Sequence, residues 1–244
     1  MQKDLQSLKN AKAYSIPADF QPMSTTPSNQ GTNLTLLSNG REYLAVKTTP
    51  SQLLSNSPGA IGIFSQALTK FPRVQQCLGI DKDSHSSSAA LVYPFSLHTV
   101  HLLISKHKAE KKAVPESIIA RIYTDVVEAG VGLQRAGLWH PKVSSDSVFH
   151  DTILFCLTNP FLSDDFLSQQ LNLTSASESH KQRVRETRLN ENVRQLGIVL
   201  LQLSSLAEEE ELVTSDQPLQ LNKNNVRAAL KLANSNYDSA LPEL

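Results

Sequence analysis

Leu138-Trp139-His140-Pro141-Lys142-Val143-Ser144-Ser145-Asp146-Ser147-Val148-Phe149 stands directly after a long amphipathic segment. Pro115 and Glu116 suit a first helical turn, and Ile118, Ile119, Ile122, Val126, Ala129 and Leu133 then recur at helical spacing as far as Gly137. That pattern predicts one long helix ending just before the quoted stretch. A second helix is expected from about Glu191 to Leu206. Its Val193, Leu196, Val199, Leu200 and Leu203, with the continuous Ile198-Val199-Leu200-Leu201 run, predict burial on nearly all sides. Asn225 to Asn234 reads as a third.

Upstream of these helices the pattern changes. Asn33 to Leu37 and Arg41 to Lys47 are strand-like runs around Asn39-Gly40, a strong hairpin signal. Residues 59 to 71 carry Ile61, Phe64, Ala67 and Leu68 at helical spacing, and Ala89 to Phe95 reads as a buried strand. The Pro-, Ser- and Thr-rich residues 14 to 30 read as a loop or irregular edge. The fold class is therefore α+β, a sheet-rich part followed by a helical part.

Composition narrows the function classes. With 244 residues the chain is long enough to bury a substantial core, which excludes a peptide hormone or a disulfide-stapled miniprotein. Lys plus Arg (23) balance Asp plus Glu (23), so no overall field recruits nucleic acid or an anionic membrane. No stretch approaches the roughly 18 uninterrupted apolar residues of a membrane helix. Met1 to Ala13 has no apolar signal-peptide region, so a cytoplasmic location is expected. Cys77 and Cys156 are too few for a disulfide framework or a thiolate zinc site and are expected to be reduced, small core hydrophobes.

Several segments, taken together, resemble protein kinases. Leu44-Ala45-Val46-Lys47 resembles the V-A-I-K strand whose lysine reaches the nucleotide phosphates, and Leu91 to Phe95 resembles the last strand before the hinge. The quoted stretch lies where the catalytic loop H-R-D-L-x-x-x-N would lie, with its frame kept and its chemistry removed. Asn192-Val193-Arg194-Gln195-Leu196-Gly197-Ile198 resembles the D-V-W-S-x-G-[IV] start of the buried C-lobe helix. Asn236 to Leu244 is similar to the family's closing helices, and Leu102 to Lys112, Val114-Pro115-Glu116 and Ser147 to Asp151 are most similar to NIMA-related kinases. The resemblance implies a bilobal protein-kinase-like fold: residues 1–30 an N-terminal extension and degenerate first strand, 31–95 a small β-rich N-lobe, and 96–244 a larger helical C-lobe.

The matching positions lack the chemistry. His140 stands at the catalytic-loop histidine, and at Lys142 the aspartate that deprotonates the substrate hydroxyl has become a cation, which is no base near neutral pH. Ser147 replaces the asparagine that holds the second magnesium with a shorter, weaker ligand. The D-F-G motif needs a glycine, and none occurs from 138 to 196; Leu157-Thr158-Asn159 gives the best register, with Asp165-Phe166-Leu167 as a shifted alternative. Before the Asn33 strand, Gly31 is the only glycine available for a phosphate cradle. Lys47 also lacks a glutamate partner, because Asp81 and Asp83 are the only acids between Glu42 and Glu110. It is expected to be a solvated, vestigial nucleotide-binding lysine.

These losses imply a catalytically inactive pseudokinase with no cofactor and no metal, acting as a protein-interaction scaffold or allosteric partner. Two alternatives stay open: a nucleotide sensor or unconventional phosphotransferase using Lys47 with Asp165 or Asp151, and a helical adaptor unrelated to kinases. His98, His101 and His107 read as surface histidines. Lys181, Arg183, Arg185 and Arg188, with His180, fall in the region where kinases dock substrates and are the candidate partner-binding residues; Lys106 to Lys112 is a second basic run. The NIMA-related resemblance implies a protein partner such as an active kinase or a cytoskeletal component, and a cytoskeletal or ciliary association.

Overall fold

A computed structural model describes residues 7, 10–27, 32–50, 60–81, 88–151 and 153–206. The expected Asn225 to Asn234 helix and the closing segment Asn236 to Leu244 lie outside these residues, as do residues 28–31, where a glycine-rich loop would fall. Strands β1 (Ala13–Tyr14), β2 (Gln21–Pro27), β3 (Asn33–Ser38), β4 (Tyr43–Pro50), β5 (Gly79–Asp81) and β6 (Ser88–Phe95) form one sheet in the order β1-β5-β6-β4-β3-β2. All its neighbours are antiparallel except β1 on β5.

The hairpin forms around Asn39-Gly40 as the sequence predicts. β3 and β4 pair from Asn33↔Thr48 to Ser38↔Tyr43, and the turn is stapled by Asn39, whose side-chain oxygen accepts the Arg41 and Glu42 N–H groups at 3.1 and 2.8 Å. Gly40 has φ +85°, a conformation that glycine adopts without steric cost. The Pro-, Ser- and Thr-rich segment is more regular than expected. Gln21–Pro27 is a wholly exposed edge strand, its register shifted between Pro22 and Ser24.

Strand alternation gives the sheet two buried faces. On the outer face Leu37, Leu44, Val46, Ala90 and Val92 pack beneath Phe20, with Tyr14 and Ile16 against them. The N-terminal segment is thus a cover for the sheet. Its approach depends on Gly79, where a Cβ would stand 2.5 Å from the Lys12 carbonyl oxygen and 2.9 Å from the Tyr14 Cβ. The inner face, with Ala45, Leu91 and Tyr93, joins the main core.

That core is completed by helices α1 (Ala60–Ala67), α2 (Val100–Glu110), α3 (Glu116–Arg135), α4 (Asp164–Leu173) and α5 (Glu178–Ser205), with a hairpin of β7 (Val148–Asp151) and β8 (Leu154–Leu157). α3 starts after Pro115 and buries Ile122, Val126, Ala129 and Leu133, as its periodicity predicts; Gly137, at φ +72°, follows its end. Asp125, also buried on this face, is an unexpected member. Its carboxylate takes the Arg73 Nε at 3.0 Å, the Arg121 Nε at 2.9 Å and the Phe155 N–H at 3.0 Å, so the buried charge is paired and hydrogen-bonded as burial requires.

α5 differs most from its expected form. It begins at Glu178 rather than near Glu191, because Ser177 caps it by accepting the His180 N–H. From Arg194 to Ser204 no residue is exposed, with Leu196, Ile198, Val199, Gln202 and Leu203 buried and Leu200 half-buried, so burial nearly all round holds there; Val193, just before, is 73% exposed.

Candidate functional site

The stretch 138–149 is held from three sides. Asn192 on α5 accepts the His140 N–H at 3.0 Å and donates to the His140 carbonyl at 2.7 Å. One turn on, Gln195 accepts the Val143 N–H at 2.7 Å while its amide donates to Glu191 at 3.0 Å. From α2, the His101 N–H donates to the Ser145 carbonyl at 2.9 Å. Leu138 and Trp139 are buried at the start of the loop, and they fix its entry.

His140 points inward. Its Nε2 lies 3.1 Å from both the carbonyl oxygen and the hydroxyl of Thr158, just after β8. Burial pushes its pKa down from 6.5 to about 4, against the opposing pull of the Lys142 and Thr158 backbone groups, so the ring is neutral at physiological pH. It ties the loop to the segment after β8. Lys142, at the base position, is exposed. Ser147 closes its own turn: its hydroxyl accepts the Ser144 N–H at 2.8 Å and donates to the Ser144 carbonyl at 3.0 Å.

In the expected metal-binding register, Leu157 and Thr158 are followed by a buried Asn159. Its side-chain oxygen accepts the Phe161 N–H at 3.0 Å, capping the short 3-10 turn Pro160–Leu162, and its amide donates to the Gln75 carbonyl at 2.9 Å. Gln75 returns a bond, its side-chain oxygen accepting the Asn159 N–H at 3.0 Å, while its own amide donates to the Pro94 carbonyl. This buried Asn–Gln pair joins the segment after β8 to the end of β6. The polar capacity at 159 is spent inside the fold.

Lys47 corrects the expectation most sharply. It lies on the inner face of β4 and its side chain is only 3% exposed. The ammonium is held by the Asp164 carboxylate, 24% exposed, at the first position of α4, and the buried Thr32 hydroxyl donates to the same carboxylate oxygen. Burial of a lysine demands a counter-charge, and here a helix after β8 supplies what the α1 region lacks. Ser163 caps that helix by accepting the Phe166 N–H at 3.3 Å. Phe166 is fully buried, with ring centroids 5.4 Å from Trp139 and 5.1 Å from Phe161.

The other candidates remain apart from Lys47. Asp165 and Asp151 are exposed. Among the described residues, no group of three or more His, Cys, Asp or Glu side chains is placed to hold a metal ion. His98 is exposed, and His101 and His107 are half-buried on α2. Lys181, Arg183, Arg185 and Arg188 all lie on the N-terminal half of α5. Lys181 pairs with Glu178 at 2.7 Å, and the Arg185 guanidinium packs over Gly137, where a Cβ would stand 3.1 Å from it. Arg188 is half-buried near Glu191, while Arg183 is exposed, so the four do not share one outward face.

Sequence reasoning missed Asp164, Thr32, Gln75 and Asp125. The Ser163-Asp164-Asp165 start is a helix-capping pattern that would have placed Asp164 in a first turn. Asp125 was visible as an acid on the apolar face of α3, with Arg121 four residues before it.

No family model and no curated protein matches the sequence. Solved structures do match. Rad53 1–466 in complex with AMP-PNP is similar with a TM-score of 0.55 at 15% identity, over 87% of this chain and 57% of that one. The Mycobacterium tuberculosis PknI kinase domain is similar with a TM-score of 0.50 at 12% identity, over 87% of this chain and 83% of that one. A point mutant of the same PknI domain gives 0.50 at 11% identity, over 83% and 79%. This likeness is one of fold: the chain has the α+β fold of protein-kinase domains.

Proposed function

We propose that this protein is a pseudokinase, a kinase fold that does not transfer phosphate and serves as a protein-interaction scaffold or allosteric partner. The observation that carries this is Leu157. Where the expected register puts a metal-holding aspartate, a buried apolar side chain stands, and the amide of Asn159 two residues on is consumed by Gln75 and by the cap of the following turn. Phosphoryl transfer depends on positioned magnesium and a base near the attacking hydroxyl. Ser147, engaged with Ser144, and Lys142, a cation, supply neither.

The scaffold role rests on fold-level analogy. Resemblance of Leu102 to Lys112 and Ser147 to Asp151 to NIMA-related kinases supports a cytoskeletal or ciliary setting, with Arg183 the exposed basic residue on α5 available to an acidic partner surface. Among the described residues, no helix is long and apolar enough to cross a membrane.

Restoration tests the reading. Lys142→Asp with Ser147→Asn returns the base and one metal ligand to the loop but leaves Leu157 at the position of the metal-holding aspartate, so the double variant is expected to transfer no phosphate from magnesium ATP to a protein substrate. Turnover in that variant would show a metal site more complete than proposed.

A further inference from the structure

We propose that Asp164 is an internal competitor for anions at Lys47, so that α4 acts as an autoinhibitory plug against nucleotide phosphates. This rests on the reading of the chain as a kinase fold that does not transfer phosphate, and adds how its nucleotide site is closed. Lys47 is almost wholly buried, and the carboxylate that neutralises it also receives the hydroxyl of the buried Thr32. A cation and a hydroxyl converge on one oxygen. These are the partners that a phosphate oxygen takes, and charge-assisted bonds of this kind are the strong ones.

The plug is fixed by its own helix. Ser163 caps α4, and Phe166 and Leu167 are buried in the main core, Phe166 edge-on to both Trp139 and Phe161. Asp164 therefore reaches Lys47 from a helix anchored in the core. A polyphosphate arriving at Lys47 meets a carboxylate of its own sign and must displace it, at the cost of undocking the first turn of α4.

Thermal unfolding of the full chain with magnesium-free ATP, and separately with tripolyphosphate, tests this against each variant's own unliganded baseline. Wild type is expected to shift by less than about 1 °C. Asp164→Asn, which keeps the size of the side chain and removes its charge, is expected to gain about 5 °C with ligand a hundredfold above its Kd. Asp164→Asn with Lys47→Met should lose that gain. Ser163→Ala, which loosens the cap and keeps Asp164, should show a smaller gain, and it decides the matter if Asp164→Asn does not fold. Stabilisation of wild type equal to that of Asp164→Asn, or no gain in either Asp164→Asn or Ser163→Ala, overturns the plug. The two readings fail separately. Asp164→Asn that binds ATP and transfers its phosphate upholds the plug and refutes the non-catalytic reading, whereas wild type that binds ATP and transfers nothing does the reverse.

Discussion

Asn192 grips the backbone of His140 from both sides, accepting its N–H at 3.0 Å and donating to its carbonyl at 2.7 Å. The loop that resembles a catalytic loop in sequence is thus clamped to α5. Asn192→Ala strands both backbone groups in a half-buried setting and is expected to cost about 1 to 3 kcal/mol in urea unfolding. Amide exchange at His140 should quicken in the variant, and unchanged protection there would show that the clamp is incidental.

Lys47 and Asp164 give a second prediction. Truncating one member of a buried ion pair leaves the other uncompensated, so Lys47→Met and Asp164→Asn should each cost about 3 kcal/mol. In a double-mutant cycle the pair should show a coupling of about 1 to 3 kcal/mol. A coupling near zero is what a solvated strand lysine would give, and would contradict the burial found here.

Much of the fold was legible. Asn39-Gly40 marked its hairpin because turn chemistry is local, and α3 announced itself through a periodicity that reports a single buried face. The segment beginning at Asn192 and the loop it clamps could each be matched to a kinase pattern because both kept their spacing, whereas the bond between them was not legible. Lys47 was misread for the opposite reason. Its partner lies 117 residues away on a helix whose position relative to the sheet is set by aromatic packing of Phe166, and nothing near Lys47 in sequence records that contact. Burial nearly all round α5 was legible for Arg194 to Ser204, whereas the exposure of Val193 was not, because an apolar residue in such a run does not itself say whether it lies against a neighbour.

Leu203 and Val193 separate those cases by measurement. Leu203 is fully buried, and Leu203→Ala should cost about 2 to 5 kcal/mol through lost transfer energy and an unfilled cavity. Val193→Ala, on the exposed side of the same helix, should stay within about 0.5 kcal/mol. Equal costs in chemical denaturation would mean that Val193 is enclosed as Leu203 is.

His140 makes stability depend on pH. Its folded pKa, about 4, lies below the ordinary 6.5, so the unfolded chain binds the proton more readily between those values. The stabilisation is complete above pH 6.5 and is lost as pH falls toward 4, by on the order of 3 kcal/mol in all. His140→Gln should flatten this part of the stability–pH curve. A curve as steep in the variant as in wild type would assign the dependence to other groups.

Single-turnover phosphate transfer from γ-labelled ATP, with magnesium and excess purified protein, tests the central claim most directly. The predicted result is no labelled product, neither on the chain itself nor on an added protein substrate, and no ADP above the protein-free control. Magnesium-dependent labelling that disappears in Lys47→Met would contradict the account and make the protein an enzyme.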